Sequence, residues 1–157
     1  KNFTLPILSS FTIILGTVAC SIQKPMNSNI SLNLNLEKIE LTEQTRGTNI
    51  IYIFTPKEKI TSVNGNQSSL PMNISEWENI NKEISQIELS AIKDFESPTT
   101  KRYSDAALSS TIIITANNQQ YNSASFDAGF PNQKLKPLYD LLKGSSKTVR
   151  PSLQIQK

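Results

Sequence analysis

The chain has 157 residues and a mass of 17.5 kDa, which suits one domain with extended ends. Its 37% hydrophobic, 18% charged and 7% aromatic residues, with 5 Gly and 8 Pro, exclude a collagen, an acidic disordered tail and a polytopic membrane protein. The absence of histidine and the single cysteine exclude His-based triads, an internal disulfide and most transition-metal sites. The net charge of +3 is uneven. Residues 20–133 carry 9 basic and 12 acidic side chains, whereas residues 134–157 carry 6 basic and 1 acidic.

Lys1 is the only charge before Lys24, and the stretch between them is largely apolar. A basic start, an apolar centre and small residues ahead of a cut site are the parts of a secretory signal peptide. A membrane span is the alternative, but Pro6, Ser9, Ser10 and Gly16 make a poor one, and no basic cluster follows to stop transfer. Thr17-Val18-Ala19-Cys20 resembles the bacterial lipobox, with Thr17 where Leu is usual. The resemblance implies removal of residues 1–19 and lipidation of Cys20, at about 0.8 kcal/mol of membrane affinity per buried CH2. The chain begins at Lys1 rather than Met, as expected if one residue precedes it. Ser21 after the cysteine, in place of an Asp, leans toward the outer membrane, with the domain facing the periplasm. The alternative for Cys20 is a buried thiol in a core helix.

Residues 20–29 read as the lipidated cysteine and a polar tether. Ile30 to Leu36 alternates apolar and polar side chains, the pattern of a half-buried strand that Ile39 and Leu41 extend past a bend. Residues 42–48 form a turn. Asn49 to Phe54 is rich in β-branched and aromatic residues and reads as a central strand. Lys59 to Val63 reads as a shorter edge strand, followed by a turn at Asn64-Gly65-Asn66 and a polar loop to Pro71. Ser75 and Glu78 match a capping box, and Trp77, Ile80, Ile84 and Ile87 then fall at helical spacing, so a helix is expected over about 76–86. Ile92 and Phe95 point inward in a further turn. Ser110 to Ala116 and Gln120 to Phe126 pair as a hairpin around Asn117-Asn118. Pro131-Asn132 opens a second helix with Leu135, Leu138, Leu141 and Leu142 facing in, Pro137 in its first turn and Gly144 at its C-terminal cap.

The order β-β-β-α-β-β-α predicts an α+β fold: an antiparallel sheet of about five strands with two helices on one face. The domain is expected over residues 30–143, with 144–157 as a basic flexible tail. That tail suits anionic lipid or acidic cell-wall material. No aromatic residues interleave with its basic ones, so nucleic acid is not expected as a partner.

The densest polar stretches, 98–105 and 123–131, flank the same hairpin. Lys101, Arg102, Tyr103, Asp105 and Asp127 therefore form the candidate recognition site. The plainer alternative is that Arg102 and an Asp pair only to fix a loop. Asp105 and Asp127 also offer the one carboxylate pair for acid/base work, but nothing in the sequence raises either pKa. No phosphate loop, calcium loop or supported Ser/Lys pair is present, so no cofactor, metal or catalytic residue is expected. Residues 97–107 and 121–131, with Leu135-Lys-Pro-Leu138, resemble a group of small uncharacterised lipoproteins of Bacteroidota-type bacteria. Where that group often carries a His after Phe-Asp, this chain has Ala128. The resemblance implies a lipid-anchored envelope module and brings no activity with it. The expectation is a non-enzymatic binding or structural protein. The alternatives are an accessory subunit or inhibitor in an envelope complex, with an apolar patch on strand 59–63, and a cell-envelope hydrolase using Asp105 and Asp127.

Overall fold

The structure, a computed structural model, describes residues 34–146. The expected signal peptide, Cys20, the tether, residues 30–33 of the first expected strand and residues 147–157 of the tail lie outside them. The fold is α+β, built on an antiparallel sheet with two helices. Its elements are β1 (Leu36–Thr45), β2 (Thr48–Phe54), β3 (Glu58–Val63), β4 (Asn66–Pro71), α1 (Ile74–Ser85), β5 (Ser109–Ala116), β6 (Gln119–Asn122), β7 (Phe126–Asp127) and α2 (Lys136–Ser146). Two 3-10 segments, Leu89–Asp94 and Lys101–Ser104, lie between α1 and β5. The sheet order is β4-β3-β2-β1-β5-β6, with β7 also paired to β5.

The expected number of strands was too low, and β4 is the main reason. Asn64 and Gly65 both take positive φ, so the chain reverses within two residues and returns along β3. Asn64 Oδ1 also accepts from Asn49 N at 2.8 Å, pinning this turn to β2. The expected edge strand β3 is consequently an interior one, flanked by β2 and β4.

β1 begins later and ends later than its alternation implies. Leu34 and Asn35 precede the strand, and the apolar phase then changes from Leu36 to Ile39 and Leu41. A bulge at Glu37 resolves that change: Leu36 pairs with Ala116 and Lys38 with Thr115, so β1 carries one extra residue. Beyond it, Ile39, Leu41 and Glu43 share one face. The turn to β2 shrinks to Arg46-Gly47. The β5–β6 hairpin turns at Asn117 and Asn118, both left-handed, as its two-residue loop requires. The return strand is broken: β6 stops at Asn122, and Ser123 Oγ accepts from Ile112 N before β7 resumes the pairing.

The helix-covered face of the sheet presents Ile39, Leu41, Phe54, Ile112 and Ile114, all essentially inaccessible. Ile80 and Ile84 of α1 and Leu138 and Leu142 of α2 complete one core with Leu135, Ile92, Phe95 and Phe126. Trp77, Ile87 and Leu141 pack at its margin. Both helices start differently from expectation. Asn73, not Ser75, caps α1: its Oδ1 accepts from Ser75 N at 2.9 Å and from Ser75 Oγ at 2.8 Å. α2 begins at Lys136, because Asn132 holds a tight turn through Lys134 N to Asn132 Oδ1 at 3.0 Å. Pro137 sits in the first turn, where its missing N–H is tolerated. Gly144 is not a cap but lies inside α2, which continues to Ser146.

Candidate functional site

The pairing of β7 with Ser109–Ser110 places Asp127 beside the start of the 3-10 turn Lys101–Ser104. The first N–H groups of such a turn have no partner within it. Asp127 supplies one for each: Lys101 N donates to Oδ2 at 2.7 Å, and Arg102 N donates to Oδ1 at 2.9 Å. Arg102 Nη1 donates to the same Oδ1 at 3.1 Å. Three further guanidinium N–H groups reach Thr99 O (2.6 Å), Ser125 Oγ (3.2 Å) and Tyr103 Oη (2.9 Å). The Arg102 side chain is 8% exposed and that of Asp127 is wholly buried. Burial alone would raise the Asp127 pKa, but the nearby Thr99 side chain and the hydrogen bonds from the Arg102 and Lys101 amides and the guanidinium outweigh it and hold it at about 2. A carboxylate so held is a poor proton acceptor near neutral pH.

The structure therefore brings Lys101, Arg102, Tyr103 and Asp127 together. Asp105 ends the same 3-10 turn in a left-handed conformation, but its carboxylate faces Arg46 Nε at 3.2 Å across an exposed pair. Such a pair is worth roughly 0–1 kcal/mol. The two aspartates are thus engaged separately, one by buried main-chain donors and one at the surface. What the hub turns outward is aromatic and cationic. Tyr103 and Phe130 are exposed, with the Arg102 guanidinium 4.3 Å from the Tyr103 ring centroid and the Lys101 ammonium 5.8 Å from that of Phe130. Phe130 belongs to the hub through its own N–H, which donates to Asp127 O at 2.8 Å. A shallow depression lined by Glu96, Pro98, Asn132 and Gln133 borders the same loops.

A second polar cluster lies between the sheet and α2, where sequence reasoning saw none. Glu43 points into the helix-covered layer and is almost fully buried. Tyr139 Oη donates to Glu43 Oε1 at 2.8 Å, and Lys143 Nζ donates to Glu43 Oε2 at 2.7 Å and to Tyr52 Oη at 3.1 Å. Tyr139 also packs edge-on against Phe126, with centroids 5.5 Å apart. Burial, then the bond to Glu43, pushes the Tyr139 hydroxyl well above its ordinary pKa. For Lys143, burial would lower the pKa, but the Glu43 and Tyr52 bonds and the Glu43 charge raise it. Gly129 N donates to Tyr139 Oη at 2.8 Å, which joins this cluster to the segment that carries Asp127. A third pair, Lys59 with Glu76 at 2.9 Å, ties β3 to the first turn of α1. Burial opposes ionisation of Glu76, but bonds from Lys59 and Ser145 prevail and lower its pKa.

Among the described residues, no three His, Cys, Asp or Glu side chains converge as metal ligands. Compared with known protein families, curated proteins and solved structures, the chain matches none.

Proposed function

We propose that the protein is a lipid-anchored component of the bacterial cell envelope that acts as a non-enzymatic binding module. The lipobox-like Thr17 to Cys20 and Ser21 support an anchor in the outer membrane, facing the periplasm. One observation of the fold carries the non-enzymatic part. Asp127, the best-placed acid of the candidate site, accepts three N–H bonds and is held ionised, so it serves as a frame for the loops around it. The side chains this frame leaves for a partner are Lys101, Tyr103 and Phe130.

Metabolic labelling with an alkyne fatty acid, followed by fractionation and mass spectrometry of the N-terminal peptide, tests the anchor. The native chain is expected to carry label on Cys20 and to sediment with membranes, and Cys20→Ala to lose the label and become soluble. A Cys20→Ala protein that stays firmly membrane-bound overturns the anchor.

A further inference from the structure

Ile74, Tyr103 and Phe130 are the large apolar side chains left exposed among the described residues, and two of the three stand on the Asp127 hub. Tyr103 is 75% exposed and Phe130 52%. A ring left in water forgoes its burial energy, so two on one rigid frame mark a surface built for contact. The frame is rigid because Lys101 N, Arg102 N and Phe130 N all bond to Asp127. Arg102 holds Tyr103 from one side and donates to its hydroxyl, so the ring is set before a ligand arrives. The Arg102 side chain is buried and paired with Asp127, whereas Lys101 is exposed and its ammonium meets no carboxylate among the described residues.

The hub also stands far from where the described chain enters. Asn35 is tied to Asn117 at one end of the sheet, and Arg46, at the other end of β1, pairs with Asp105 at the end of the 3-10 turn that carries Lys101 and Tyr103. Ten strand residues at about 3.3 Å each separate these ends by about 30 Å. Two exposed rings beside one ammonium offer flat apolar faces next to a positive charge. They fit a polymer of small units, each with a flat C–H face.

Building on the reading of the chain as an envelope binding module, we infer that Tyr103, Phe130 and Lys101 form a platform for a carboxylated glycan. The rings stack on the C–H faces of the sugars, and the Lys101 ammonium pairs with a sugar carboxylate.

The test uses the full-length acylated protein in detergent, titrated calorimetrically with polygalacturonate oligomers and with the same oligomers after reduction of their carboxyl groups. The native protein is expected to bind the acidic oligomers and to bind the reduced ones more weakly. Tyr103→Ala and Phe130→Ala should each weaken binding by about tenfold while leaving the melting temperature unchanged. Lys101→Gln should remove most of the preference for the acidic form. No binding by the native protein, equal binding of both oligomers, or binding indifferent to both ring substitutions overturns the inference. A photo-reactive residue at position 103 that captures a protein rather than glycan in cells also overturns it and leaves the binding module standing. Loss of the Cys20 label, measured separately, would instead strike the envelope reading itself.

Discussion

The Asp127 hub and the Glu43 cluster each bury a carboxylate, yet they satisfy it in opposite ways. Asp127 draws on two main-chain N–H groups and a guanidinium, whereas Glu43 draws on a tyrosine hydroxyl and a lysine ammonium from α2. The difference follows from what each carboxylate holds in place. The start of a short turn has free N–H groups to offer. The middle of an α-helix has none, so only side chains can fasten it to a sheet. One acid therefore shapes loops, and the other docks a helix. The two meet at Gly129, whose N–H reaches Tyr139 from the segment that begins at Asp127.

The largest effect is expected from Asp127→Asn. The amide keeps one acceptor but turns an NH2 toward donors that need an oxygen, so Lys101 N or Arg102 N loses its partner. Hydrogen exchange should show the amides of Lys101 and Arg102 losing protection, and Asp127→Asn should give the lowest melting temperature of the variants proposed here. The native protein carries the same signature in acid. Asp127 titrates at about 2 when folded, against 3.8 ordinarily. As the pH falls from about 4 toward 2, the unfolded chain takes up the proton first, so stability drops through that window and is complete above it. Urea midpoints measured from about pH 5 downward should show this slope in the native protein and a shallower one in Asp127→Asn.

Glu43→Ala should cost about 1–3 kcal/mol, because it leaves Tyr139 and Lys143 beneath α2 without their acceptor. Chemical denaturation gives that number directly. A loss as small as that of an exposed ion pair would show that water replaces Glu43, and the contrast between the two carboxylates would fail. The cluster should also fail at the other end of the pH scale. Tyr139 and Lys143 both have raised pKa values, so the unfolded chain releases their protons first as the pH rises above about 10. Stability is complete below that point and falls above it, and Glu43→Ala should flatten the alkaline slope while sparing the acid one.

Tyr139→Phe is the gentlest cut, at about 1 kcal/mol, because the ring and its contact with Phe126 survive. It removes the bond from Gly129 along with the one to Glu43, and so tests the link between the two regions. If Asp127→Asn and Tyr139→Phe add without coupling in a double-mutant cycle, the hub and the helix dock are independent units.

The sequence was most legible where the core speaks through spacing. Ile112 and Ile114 in β5, Ile80 and Ile84 in α1, and Leu138 and Leu142 in α2 each announce a buried face. β4 was hidden because its residues, Asn66 to Pro71, show no alternation; only the Asn-Gly turn before it signals a hairpin. β1 was cut short because Glu43 reads as solvent-facing, and its burial depends on partners 96 and 100 residues away. No local pattern encodes such a pair. The grouping of Arg102 with Asp127 was accessible, because both flank one hairpin. Phe130 gives no such signal, since a lone aromatic in a turn carries no sign of exposure.

β4 has one more consequence. Among the described residues it ends the sheet on one side, and a strand with a free side is an invitation to another copy of the same chain. Here the invitation is weak. Asn66 to Ser69 offer a polar rim with little for a neighbour to bury, and Pro71 has no N–H to give. This edge thus offers copies crowded together no hydrophobic ribbon along which to polymerise.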